Sequence, residues 1–186
     1  MAFTTPFYAS LISLLALLSG CTQPGDDYGF RINSVDISPG YQKISTRYRQ
    51  ELSLSREATE ALENGITLTL MLEMELRDSS TLTLLADESL LYEISYLPLN
   101  QSYKLNRPGS GDPAAWFPRL RHVMNELSGL RLDFGTGPLA PGKYEFRARI
   151  KLDNARLPAP MQLPALFSAD WQHDSEWSTW PFEINA

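Results

Sequence analysis

The chain has 186 residues, with 16 Lys and Arg against 22 Asp and Glu. The resulting formal charge of −6, with no basic cluster to offset it, argues against binding DNA, RNA or anionic lipid heads. A hydrophobic fraction of 43% with 11% aromatics is ordinary for one folded domain, and a single Cys excludes an internal disulfide framework.

In chain order, the first feature is LISLLALLSGC at residues 11–21. Its apolar core, Leu11 to Leu18, suits the h-region of a secretory signal and falls well short of the ~20 residues that span a bilayer. The closing Leu18-Ser19-Gly20-Cys21 resembles the lipobox of bacterial lipoproteins. That resemblance implies a signal peptide over 1–20, cleavage before Cys21 and a diacylglycerol on its thiol. Residues 21–29 then form the lipidated Cys and a polar tether. A capped thiol also suits an oxidising compartment with one cysteine. Thr22 after the cysteine implies the outer membrane, with the domain facing the periplasm; an uncleaved transmembrane helix is the runner-up.

Residues 30–186 read as a single domain. Phe30 to Ile37 predicts a strand ended by Ser38-Pro39-Gly40, and Ile44 to Leu52 alternates, with Ile44, Thr46, Tyr48 and Leu52 on one face. Leu54 to Asn64 switches to a helical period, with Ser55 as N-cap and Gly65 as stop. Leu68, Leu70, Leu72, Met74 and Leu76 alternate with polar neighbours, the pattern of a half-buried antiparallel strand. Leu90 to Leu97 follows in the same style, with Ser102 to Leu105 pairing back across Pro98 to Gln101. Leu120, Val123, Met124 and Leu127 predict a second short helix, closed by Gly129. After Arg131 to Phe134, a strand places Tyr144, Phe146, Ala148, Ile150 and Leu152 inward. Pro158, Pro160 and Pro164 exclude a central strand, so Leu157 to Pro164 is expected to run extended over an edge or face. The sum is a mainly β chain, an antiparallel β-sandwich of Ig-like size with two short helices.

Three segments in order resemble a known bacterial family. They are Ser55 to Ile66 (SREATEALENGI), Tyr96 to Tyr103 (YLPLNQSY) and a C-terminal run with Leu157-Pro158, Leu163-Pro164, Ser168-Ala169-Asp170-Trp171 and Trp177-Ser178-Thr179-Trp180-Pro181. Together they are similar to the domain of unknown function 4390. That family carries no established activity. The resemblance implies an exported or membrane-attached protein, and an accessory role beside a membrane sensor kinase is one option it offers.

Candidate chemistry is sparse. Trp171, Trp177 and Trp180, with Asp170, could form an aromatic platform for a sugar or peptide, but the reading preferred for the tryptophans is a plug of the sandwich with Asp170 capping backbone N–H groups. No zinc spacing, EF-hand loop, nucleophile elbow or phosphate cradle appears, so no metal, cofactor or catalytic residue is expected. Glu73 and Glu75 share an outward face and are expected to pair across strands with Arg147 and Arg149. Arg147, Arg149 and Lys151, with Arg47 and Arg49, could alternatively form a positive stripe for an acidic partner or lipid heads. The expectation is a non-enzymatic lipoprotein held to the membrane by its lipid, acting as an interaction or assembly module on an envelope protein, with no nucleic-acid partner. The alternative is a small-ligand or glycan-binding domain built on the C-terminal tryptophans.

Overall fold

The computed structural model describes residues 28–185, so the expected signal peptide, Cys21 and most of the expected tether lie outside the described residues. The strands are β1 (Gly29–Pro39), β2 (Lys43–Ser53), β3 (Leu68–Asp78), β4 (Leu84–Leu97), β5 (Ser102–Asn106), β6 (Ala115–Phe117), β7 (Arg131–Gly135), β8 (Gly142–Leu152) and β9 (Ser178–Ile184). The α-helices are α1 (Arg56–Glu63), α2 (Leu120–Ser128) and α3 (Ala159–Phe167). All pairings are antiparallel, in a small sheet ordered β1-β2-β7 and a large one ordered β6-β5-β4-β3-β8-β9. The sheets face each other as an open sandwich, as the alternation predicts.

Alternation fixes which face of each strand is dry. On β3, Leu68, Leu70, Leu72 and Leu76 are fully buried, and β8 meets them with Phe146, Ala148 and Ile150. From the small sheet come Ile44 and Tyr48 on β2 and Phe134 on β7, all fully buried. Phe134 and Phe146 join the sheets edge to face, with ring centroids 5.7 Å apart. Tight turns hold the hairpins: Asp78 Oδ1 accepts from the backbone N–H of Thr81 and of Ser80, each at 2.8 Å, which holds its carboxyl below the usual range.

The helices close the ends of the sandwich. Ser55 caps α1, its Oγ accepting from Ala58 N–H at 3.1 Å, and Ala58 and Leu62 are buried against the core. Gly65 takes φ +91° just beyond, the positive-φ stop that the sequence suggests. On α2, Val123, Met124 and Leu127 face inward, and the Leu127 carbonyl accepts from Gln50 Nε2 at 2.7 Å.

Two segments depart from expectation. The stretch expected to run extended forms α3 instead, giving three helices. Its prolines exclude a strand, but Pro158 sits at the N-cap and Pro160 in the first turn, where a missing N–H removes no helical bond. Pro164 lies inside the helix, and α3 ends within one turn of it. The tryptophan-rich tail also forms an edge strand, β9, with Trp180 and Phe182 turned toward the core. Pro181 is compatible with pairing to β8 because its donorless side faces the free edge.

Because Phe146 is fully buried and bridges the two sheets, Phe146→Ala should lower stability by about 3–5 kcal/mol. A urea unfolding curve checks this through a lower midpoint at unchanged slope.

Candidate functional site

The C-terminal segment is organised around His173, which is 2% exposed. Its Nε2 accepts the backbone N–H of Ser55 at 2.9 Å, so the neutral ring carries its proton on Nδ1. Ser55 Oγ also donates to the backbone carbonyl of Asp170 at 2.7 Å. The imidazole packs against Tyr28 and Phe30, with centroids 5.3 and 5.2 Å away, and the His173 carbonyl accepts from Leu152 N–H. One residue thus ties the start of β1, the cap of α1 and the end of β8 to the tail. Burial pushes the His173 pKa down, outweighing the Trp171 carbonyl and the Asp170 charge, which favour the cation.

The structure places the three tail tryptophans in three settings. Trp171 is buried between α1 and α3, beside Ala61, Met161 and Pro164. Trp180 lies on the core side of β9 against Phe146, centroids 6.5 Å apart. Trp177 lies on the opposite, outer face of the large sheet over Arg147 and Arg149, each Cζ 5.0 Å from its ring centroid. Asp170 is half-buried and contributes its main-chain carbonyl to Ser55. No single platform brings these four residues together. Cys21 lies outside the described residues.

Beneath Trp177 the outer face of β3 and β8 is an ion-pair ladder. Register places Glu73 opposite Arg149 and Glu75 opposite Arg147, as the alternating charges suggest. Arg149 Nε donates to Glu73 at 2.9 Å, Lys151 Nζ lies 3.1 Å from the same oxygen, and Arg147 Nη1 is 3.3 Å from Glu75. Partial burial pushes the Glu73 carboxyl up, but hydrogen bonds from Arg149 and Lys151 prevail and hold it below its usual range. The carboxylates of Glu73 and Glu75 are thus engaged by the basic side chains of the same face.

The small sheet presents the opposite case. Arg47 on β2 and Arg131 on β7 are directly opposite in register, which brings their Cβ atoms within about 4.5–5.5 Å. They line an open cleft of about 510 Å³ with Asp36, Ser38, Ser45, Thr46, Leu132 and Asp133. Both carboxylates there are already engaged. Asp36 pairs with Arg49 at 3.1 Å, and Asp133 takes Lys43 and Ser45 Oγ, with Lys43 holding its carboxyl below the usual range. Among the described residues, neither Arg47 nor Arg131 has a carboxylate within 4.0 Å. The expected positive stripe is therefore divided between two sheets: it is quenched on the large one, and on the small one Arg49 is paired while Arg47 has no ion pair among the described residues. Arg131 escapes a reading of the sequence because its neighbour is set by β2–β7 pairing, not by local pattern. Among the described residues no group of three His, Cys, Asp or Glu side chains converges as metal ligands.

Two outcomes follow from these contacts. A His with a lowered folded pKa binds fewer protons folded than unfolded, so stability is lost as pH falls below about 6.5 toward the folded value. Protonation also puts a proton on Nε2, facing the Ser55 N–H. Thermal melts from pH 7.5 to 5 should show a falling midpoint, and His173→Gln should flatten that segment of the profile. Arg131→Glu should replace a like-charge cross-strand pair with an opposite-charge one and raise stability by about 0.2–1 kcal/mol. Chemical denaturation checks this.

No curated protein and no solved structure matches the chain. Residues 27–181 match the family described as Domain of unknown function (DUF4390), and the chain belongs to that family.

Proposed function

We propose that this protein is a non-catalytic interaction module of the bacterial cell envelope, exported and held to the membrane through lipid on Cys21, that grips an acidic segment of an envelope protein at the Arg47–Arg131 cleft. The observation that carries this reading is the facing pair Arg47 and Arg131, neither within 4.0 Å of a carboxylate among the described residues, while Asp36, across from Arg47 on β1, and Asp133 are taken by Arg49 and Lys43. Four cations, Lys43, Arg47, Arg49 and Arg131, stand there against Asp36 and Asp133, a local positive surface on a chain whose formal charge is −6. Guanidinium forks favour planar carboxylates, and a charge-complementary partner would relieve their mutual repulsion. The dispersal of Trp171, Trp177 and Trp180 removes geometric support from a glycan platform.

A photo-crosslinking residue at Ser38 tests the reading in living cells. The expected result is an adduct with one envelope protein, lost in Arg131→Glu, which keeps the fold. Cys21→Ser should release the protein into the soluble periplasmic fraction. An adduct of equal yield in Arg131→Glu overturns the cleft, and a membrane-bound Cys21→Ser variant overturns the anchor.

A further inference from the structure

Helix α3 is apolar on both its core-facing and its water-facing sides. Ala159–Phe167 has no charged residue, and its one polar side chain, Gln162, turns back on the segment before the helix, donating to the carbonyls of Leu157 at 2.8 Å and Ala155 at 2.9 Å. The outward positions are apolar: Leu163 is 68% exposed, Leu166 58% and Phe167 88%. Spaced i, i+3 and i+4, they form one continuous face. Exposed apolar faces of this kind mark contact with a membrane or a partner.

The path of the chain indicates what covers it. Gln172 Nε2 donates to the Leu166 carbonyl at 3.1 Å, and the next residue, His173, packs at a tilt against Tyr28. The C-terminal end of α3 therefore adjoins the point where the chain leaves toward residues 1–27. Six residues lie between Cys21 and Tyr28, and the seven steps of chain reach at most about 25 Å. A domain on so short a tether is held against whatever surface holds Cys21, and α3 is at the tethered end.

We propose that α3 seats the domain on the bilayer, with Leu163, Leu166 and Phe167 entering the boundary between headgroups and acyl chains. Glu57 and Glu60 of α1 lie alongside α3, so the seat suits zwitterionic lipid and does not depend on anionic headgroups. This rests on the lipid anchor proposed above.

The test uses the full lipidated chain carrying Phe167→Trp, reconstituted into zwitterionic phosphatidylcholine vesicles with plain or brominated acyl chains, beside wild type in the same vesicles. Flotation reports the anchor and quenching reports the seat. The expected result is that the protein floats and the emission added by Phe167→Trp falls at least twofold in brominated vesicles. Adding Leu163→Glu and Leu166→Glu should abolish the quenching while near-ultraviolet circular dichroism stays unchanged. Flotation without quenching overturns the seat and leaves the anchor standing. A blue-shifted emission that depends on protein density and resists bromine assigns the face to a second copy and also overturns the seat. Failure to float removes the anchor, and the seat with it.

Discussion

The hydrogen bond from Ser55 N–H to His173 Nε2 is the constraint on which the peripheral architecture depends. A buried imidazole accepting a main-chain proton at a helix cap must be neutral and held in one orientation. That orientation sets the end of the chain's irregular tail, and with it the start of β9 and the position of Trp177. The same ring packs on Tyr28 and Phe30, so the entrance to β1 is fixed by a residue near the opposite terminus. The pairing of β9 with β8 and the burial of Ala165 and Trp171 hold the tail and α3 to the core beside it.

The two outer faces of the sandwich use charge differently. On the large sheet, alternate glutamates and arginines in register neutralise one another under an indole, and each group is only 20–28% exposed. Partial desolvation makes such pairs firmer than the weak ion pairs of a fully wet surface. On the small sheet, the wet face is more open and register creates a repulsive contact instead. A repulsion that a single substitution would relieve is consistent with a surface shaped by recognition and not by stability alone.

Much of this was readable in the residues themselves. Period-two alternation identified β2, β3 and β8 and their buried sides, because burial on one face leaves no other arrangement. Ser55 announced its helix, and the Glu73–Arg149 and Glu75–Arg147 pairs followed from charge alternation on strands that proved to be neighbours. Three things were not readable. Prolines 158, 160 and 164 carry information against a strand but are silent between an extended segment and the first turns of a helix. The tryptophans looked like one cluster because they are close in sequence, whereas a strand sends alternate residues to opposite faces and a loop precedes it. The His173 and Arg131 contacts join residues distant along the chain, for which no local pattern exists.

Pro181 sits mid-way along β9, the outermost strand of the large sheet on that side. An incoming strand needs a regular row of amide donors to extend the ladder, and this row is interrupted where it would otherwise be most accessible. Exposed edges that meet at high local concentration are where fibrous stacking begins. A pyrrolidine ring at this position keeps neighbouring copies from fusing into a continuous ribbon.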